Sequence, residues 1–398
     1  MENLLKIIQI TPSYKPAYIY GGPIQSVAKL CETLSKISKE PGGLDYIDLK
    51  VLTSTANGNT ELTVTPSKPT LLDGVSITYF KRLTKDHSHF SPQLLRSLWN
   101  QIRDCSQNEK PIIHIHAWWN LISILSCWVA KCYNVPVILS PRGMLTSYTQ
   151  NNRSAFSKKV IHNLIGKKLL KYCHIHATSR QEEQDILKII IPKSIVVIPN
   201  LVNIKESFIS PRSVVDHKSH NIFRLIFLSR IEEKKGLELL FNTLESLDIN
   251  WFLTIAGMGD EGYIKSLKVK AKALKIDNQL SWIGHVTDSY KYDLMAQHDL
   301  LVLPSYNENF ANVVIESLSV GTPVLISDKV GLSDYVMAKQ LGWISTLDVA
   351  NIQENLLKAF SDLEKRKTIN QSAPGIIRRD FNNQVLANEY LQFYKTLR

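Results

Sequence analysis

The chain has no long hydrophobic run; none approaches the roughly 18–20 apolar residues of a membrane-spanning helix. Cysteine is scarce and unpatterned. Cys31, Cys105, Cys127, Cys132 and Cys173 make an odd five with no paired spacing, which argues against a disulfide framework or a thiolate metal site and for reduced thiols. There is no Asp-x-Asp pair on a loop and no cluster of His and Cys, so no metal ion is expected. Short-period repeats and low-complexity tracts are also missing. The opening MENLLKIIQI has an acid at position 2 and runs directly into a strand pattern, unlike a signal peptide. The expected location is therefore cytoplasmic, with the inner face of the cytoplasmic membrane as a surface within reach.

What is present is ordinary in bulk: 398 residues, 44% hydrophobic and 21% charged, enough for two cores. The charge is uneven. Residues 1–200 hold 24 Lys and Arg against 13 Asp and Glu, whereas residues 201–398 hold 23 of each. The net charge of +11 thus lies entirely in the first part, a surface suited to anionic lipid or an acidic polymer, or simply to solubility. No nucleic-acid-binding module accompanies it, so no nucleic-acid partner is expected. Residues 153–171, RSAFSKKVIHNLIGKKLLK, mix apolar and basic side chains as an interfacial helix does, but the basic ones spread around the helical wheel.

Strand patterns alternate with helical ones in both parts. LLKIIQI, DLKVLTS, VSITYF, PIIHIHA, VPVILS and CHIHATS precede a polar, aperiodic linker at 210–221; RLIFLS, WFLTIAG, LSWIGHV, LLVLPS and TPVLIS follow it. This predicts α/β architecture: two Rossmann-like domains, each with a parallel sheet, facing a cleft. The boundaries read as 1–200, 201–380 and a C-terminal helix at 381–398 returning to the first domain.

Three motifs carry chemistry. Gly257, Gly259 and Gly262 spell G-x-G-x-x-G after a strand, and Asp277 follows. In a dinucleotide site the acid ends the next strand, whereas Asp277 precedes it, so these glycines read as a tight strand-to-helix turn and no nicotinamide or flavin is expected. RIEEKKG, residues 230–236, places Arg230 and Lys235 where a strand gives way to a helix, suited to two phosphates or to a solvated charged turn. NENFANVVIESL, residues 307–318, puts Glu308 in the loop after the buried strand LLVLPS and Glu316 one turn beyond Asn312, with Asn309 or Asn312 as the helix cap. The carboxyl edge of such strands is where open α/β sheets bind ligands.

Together with WIGH at 282–285 and GTPV at 321–324, these segments resemble, in order and spacing, the donor domain of retaining glycosyltransferases of family 4. TPSYKPAYIYGGPIQSVAKL, SPRGML and HATSRQEEQDI extend the resemblance to members that build bacterial surface polysaccharides. The resemblance implies a GT-B fold, an acceptor in the first domain, a UDP- or GDP-type nucleotide sugar in the second, and no metal or other cofactor. It implies that Glu308 holds donor-sugar hydroxyls, Glu316 holds the ribose, and Arg230 and Lys235 take the diphosphate. Phe310, Ala311, Asn312 and Val313 would present backbone N–H groups, Gly257 would lie near the cleft, the backbone at Gly284 and His285 would meet the base, and Gly21 and Gly22 would let the backbone approach the diphosphate. The acceptor would be a lipid-linked glycan or an oligosaccharide, reached by peripheral contact with an anionic membrane. Three departures stand out: Ala311 replaces a usual glycine and should narrow the space beside the sugar; Arg142 stands where a histidine is common, with His116 another candidate lining residue; and PNLVN replaces Pro-Asn-Gly-x-Asp at the crossover. A phosphorylase, a sugar-phosphate synthase or a non-catalytic partner subunit of the same fold are the competing readings.

Overall fold

The structure, a computed structural model, describes residues 4–37, 47–86, 88–105, 110–146, 166–204 and 222–398. The 210–221 linker and most of the 153–171 stretch lie outside the described residues. The chain forms two compact units, Met1–Val202 with Asn383–Arg398, and Asn203–Asn382.

In the first unit the strands are β1 Leu5–Thr11, β2 Ile47–Ser54, β3 Ala56–Asn57, β4 Thr60–Glu61, β5 Pro69–Leu72, β6 Val75–Phe80, β7 Ile112–His116, β8 Val137–Ser140, β9 His174–Ala177 and β10 Ser194–Val197. Eight of them make one sheet in the order β10-β9-β8-β7-β1-β2-β6-β5. The middle strands are buried along their whole length, as a parallel sheet covered by helices requires, with branched apolar residues interrupted by the histidines of β7 and β9. The expectation of a wholly parallel sheet is corrected at one edge, where β5 pairs antiparallel with β6. Most of β5 is exposed, so it has no apolar pattern to announce it, and Pro69 fits an edge position. The short β3–β4 hairpin was equally silent.

Several helices of this unit start where the chain supplies a cap. Ser91 accepts from the Leu94 N–H with Pro92 at the first position, after which Leu94, Leu98 and Ile102 bury one stripe of Pro92–Arg103. Asn120 and Ser179 cap Leu121–Cys132 and Arg180–Ile189 in the same way.

The second unit holds β11 Phe223–Leu228, β12 Trp251–Ala256, β13 Leu280–Gly284, β14 Leu300–Leu303, β15 Val324–Ser327 and β16 Gly342–Ser345. They form a six-stranded sheet, β13-β12-β11-β14-β15-β16, in which every pairing is parallel. The order changes direction between β11 and β14, which makes the C-terminal ends of those two strands a topological switch point.

One polar chain runs through the core of the first unit, and its direction follows from its ends. Arg142 Nε can only donate, so His116 Nδ1 (3.3 Å) accepts and His116 Nε2–H donates to Gln9 Oε1 (2.7 Å). Gln9 Nε2 donates to the Tyr394 hydroxyl (3.0 Å), which donates to His114 Nδ1 (2.8 Å). His114 Nε2–H donates to Ser140 Oγ (2.7 Å), and Ser140 donates to His176 Nδ1 (2.7 Å). His176 Nε2–H ends the chain on the Ile198 carbonyl (2.8 Å), which can only accept, with the Tyr390 hydroxyl a second neighbour of the same nitrogen at 2.9 Å. All three histidines are therefore neutral Nε2–H tautomers, and Tyr394, from the helix Asn383–Lys395, is a link in the series. Burial lowers the basicity of His114, His116 and His176, the last to about 3, and the positive charge of Arg142 adds to the effect at each.

Because these folded-state values lie below the ordinary 6.5, the unfolded chain binds more protons between the two. Stability is fully present above about pH 6.5 and falls as the pH drops from there toward about 3. Thermal melts across this range should show the decline. Tyr394→Phe, which leaves Gln9 and His114 without a shared partner, should cost about 1–3 kcal/mol in denaturant titration at neutral pH.

Candidate active site

At the switch point of the second unit, three loops meet through backbone. Gly236 ends the turn Glu233–Lys235 at φ 73°, and a Cβ there would lie 2.0 Å from the Pro304 carbonyl oxygen. Only glycine permits both the conformation and the approach. The approach seats the 230–236 loop against the exit of β14, where the Tyr306 N–H bonds the Lys234 carbonyl (2.8 Å). Gly257 and Gly259 serve the same kind of contact: added Cβ atoms would meet the carbonyl oxygens of Ser229 at 1.8 Å and Ile231 at 2.0 Å. Their pattern is thus explained by two backbones packed together, and the following helix, Glu261–Ala273, is capped by Asp260.

This packing gathers charge around Glu308. Its backbone is pinned by the next loop, with its N–H on the Lys329 carbonyl (3.1 Å) and its carbonyl accepting from Gly331 N–H (2.7 Å). Its carboxylate pairs with the buried Lys235 ammonium. Burial alone would raise the Glu308 carboxyl, but Lys235, then Lys234 and Arg230, more than offset it and hold it below the usual range. Glu232 lies between Arg230 (2.7 Å) and Lys234 (3.3 Å). Lys234 carries no signal of its own in the sequence, because adjacent lysines in a charged run look like solvated surface.

The helix Asn312–Ser319 begins beside this cluster. The cap position falls to Ala311, at φ 68°, ψ 75°, and not to Asn309 or Asn312 as expected, and the alanine side chain has no acceptor to offer the first turn. A left-handed alanine is a strained choice where glycine is free of penalty. Phe310 is buried, with its ring 6.1 Å from that of Phe381, and Asn312 and Val313 are half-buried at the first turn. Glu316 is buried four residues in, and its Oε1 lies 2.8 Å from Lys291 Nζ. Burial raises the Glu316 carboxyl, and Lys291 partly counters the rise. Sequence reasoning missed Lys291, since nothing in KYDLMAQ signals a partner 25 residues away.

His285 is exposed and lines a groove of about 500 Å³ together with Phe252, Ile283 and Tyr290, a groove whose lining includes none of Arg230, Lys235, Glu308 and Glu316. In the first unit, Gly21 (φ 72°) leads into the helix Gly22–Ile37. Ser26 of that helix and Asn200 both accept from Arg142 Nη1, at 3.1 and 2.8 Å. Gly21, Gly22, Arg142 and Asn200 are thus brought to one region. His116 is corrected as a lining residue: it is 1% exposed and both ring nitrogens are engaged inside the unit, so it orients Arg142 instead. Among the described residues no group of three or more His, Cys, Asp or Glu is placed to hold a metal ion.

Two Rossmann-like α/β units, each built on a largely parallel sheet, define the GT-B fold. The family described as "Glycosyl transferases group 1" matches residues 215–375, and "Glycosyltransferase Family 4" matches residues 46–206. The chain belongs to the family 4 glycosyltransferases. It is 24% identical over 200 residues to the capsular polysaccharide biosynthesis glycosyltransferase CapM of Staphylococcus aureus, covering 48% of this chain and 52% of that one. The chain spans about half the length of the curated relatives it matches. Among solved structures, sucrose-phosphate synthase from Thermosynechococcus elongatus superposes with a TM-score of 0.74 at 18% identity over 99% of both chains. HepE of Anabaena in complex with UDP gives 0.74 at 17% identity over 98% of this chain and 100% of that one. At such identities these likenesses speak to fold.

Two substitutions test the loop geometry. Gly236→Ala should destabilise the protein by at least about 2 kcal/mol in denaturant titration, since both conformation and space forbid a Cβ. Ala311→Gly should instead stabilise it by about 0.5–1 kcal/mol, as relief of the left-handed strain outweighs the added chain entropy.

Proposed function

We propose that this protein transfers a hexosyl group from a UDP- or GDP-type sugar to a lipid-linked or glycan hydroxyl in the assembly of bacterial surface polysaccharide. The carrying observation is the gathering of Arg230, Lys234 and Lys235 around Glu308 at the carboxyl edge of β14, with buried Glu316 a turn into the next helix. Arg230 and Lys235 take the diphosphate, assisted by first-turn N–H groups at Phe310, Ala311, Asn312 and Val313. When donor binds, phosphate replaces carboxylate as the partner of Lys235, and Glu308 turns to accept from sugar hydroxyls. Glu316 accepts from the ribose, and the backbone at Gly284 and His285 meets the base. UDP in HepE supports a nucleotide donor, and CapM supports a polysaccharide product.

The reaction retains configuration by attack on the face the leaving group departs from. The acceptor oxygen bonds the anomeric carbon as the bond to the diphosphate oxygen breaks, and that phosphate oxygen takes the acceptor proton. Positive charge from Arg230 and Lys235 stabilises the leaving diphosphate, so neither metal nor other cofactor is required. Arg142, oriented by Ser26, Asn200 and His116, offers a planar cation to an acceptor phosphate. The basic first part of the chain favours contact with anionic lipid, each nearby basic residue adding about 1 kcal/mol.

A thermal-shift panel of nucleotides and nucleotide sugars tests the reading, because only ligands of the folded state raise the melting temperature. Lys235→Ala and Arg230→Ala should weaken nucleoside diphosphates by about tenfold or more while leaving the free nucleoside unchanged. Glu308→Gln should abolish most turnover and leave diphosphate binding nearly intact. A matching loss for the nucleoside, or activity lost to EDTA and restored by magnesium, would overturn the assignment. Salt-sensitive binding to anionic vesicles is the expected readout of the membrane contact; indifference to such vesicles at low salt would remove it.

A further inference from the structure

We infer that Lys291 is a positioning residue for nucleotide recognition: its ammonium fixes the buried Glu316 carboxylate in the orientation that receives the ribose, with Asp288 holding the ammonium in turn. The inference rests on the proposed role of Glu316 and goes beyond it by assigning a group that touches no ligand.

The geometry is a relay of three side chains. Lys291 Nζ lies 2.8 Å from Glu316 Oε1 and 2.9 Å from Asp288 Oδ1. The Lys291 and Glu316 side chains are only 6% and 7% exposed, whereas Asp288 is 54% exposed. The pair therefore sits inside the protein and the third member reaches solvent. Lys291 and Asp288 share the helix Asp288–Ala296, one turn apart, and Glu316 projects from Asn312–Ser319, which packs against it. A carboxylate taken out of water needs a cation and good geometry to stay charged, and one Glu316 oxygen is spent on this cation. The other oxygen then accepts from a ligand hydroxyl. A surface salt bridge would do neither job, because both partners would be solvated and free to rotate.

Tyr292 is also close by, with its ring centroid 5.1 Å from Lys291 Nζ and its hydroxyl donating to the Asn203 carbonyl. Burial pushes the Glu316 carboxyl up, Lys291 draws it down, and Asp288 adds a smaller upward push. For Lys291, burial disfavours the charge, but Glu316 and Asp288 outweigh it and hold the ammonium above its ordinary range. Ribose binding requires the ionised carboxylate, so binding fails as the pH falls through the Glu316 value. Without Lys291 that value rises, and the acid limb of binding moves to higher pH.

The test measures binding of UDP and GDP, and of their 2′,3′-dideoxy counterparts, to full-length wild type, Lys291→Met, Lys291→Arg and Glu316→Gln between pH 5 and 9. Expected is a loss of about tenfold or more for the better ribonucleotide in Lys291→Met, little change for its dideoxy form, and an acid limb displaced upward. Lys291→Arg should recover most of the affinity. Should Lys291→Met destabilise the fold, the Lys291→Met/Glu316→Gln double variant removes the unpaired charge and should restore the melting temperature without restoring preference for the ribose. Equal losses for ribose and dideoxy nucleotides, or an unmoved acid limb, would overturn the inference. If Lys291→Met is silent while Glu316→Gln loses ribose preference, the positioning role fails alone. If Glu316→Gln is silent too, the ribose reading fails and the role of Lys291 falls with it.

Discussion

Parallel strand pairing is the constraint from which the site follows. Every pairing in the second sheet is parallel, so each strand-to-helix loop emerges at the same edge. The loops after β11, β12, β14 and β15 are crowded there and have to pack backbone on backbone. Gly236 against Pro304, Gly257 against Ser229 and Gly259 against Ile231 are the consequences. The same crowding sets Lys235 on Glu308 and leaves the helix Asn312–Ser319 to begin beside them.

The four named cations at that edge are all paired, against three carboxylates. Each cation has a carboxylate: Lys235 with Glu308, Arg230 and Lys234 with Glu232, Lys291 with Glu316. Such pairing lets lysines and acids be buried together at a tolerable cost. The two glutamates differ in the outcome: several cations lower Glu308, whereas burial wins at Glu316 despite Lys291.

In the first unit the organising element is a hydrogen-bond series with one possible direction. A donor-only guanidinium and an acceptor-only carbonyl terminate it, so each histidine between them has one tautomer and no room for a second proton. The C-terminal helix enters through Tyr394, which ties the last residues of the chain to strands formed by its first half. Arg142 is consequently held by the same network that the core needs for its own polar satisfaction.

The two α/β units, the central strands of both sheets and the acidic and basic motifs at 230–236 and 307–318 could be read in the sequence, because apolar runs, caps and turn residues are local signals. Edge strand β5 and the hairpin could not, since exposure or brevity erases the apolar pattern, whereas β10 carries an apolar Ile-Val-Val run in the sequence. The left-handed cap at Ala311 was hidden as well, because only the packed loop compels that conformation on an alanine. Tertiary structure alone decided that His116 is enclosed, that Lys234 joins the cations around Glu308, and that Lys291 is the partner of Glu316. These are contacts between segments far apart in the chain, and no periodicity in a sequence encodes which buried charge a distant lysine will meet.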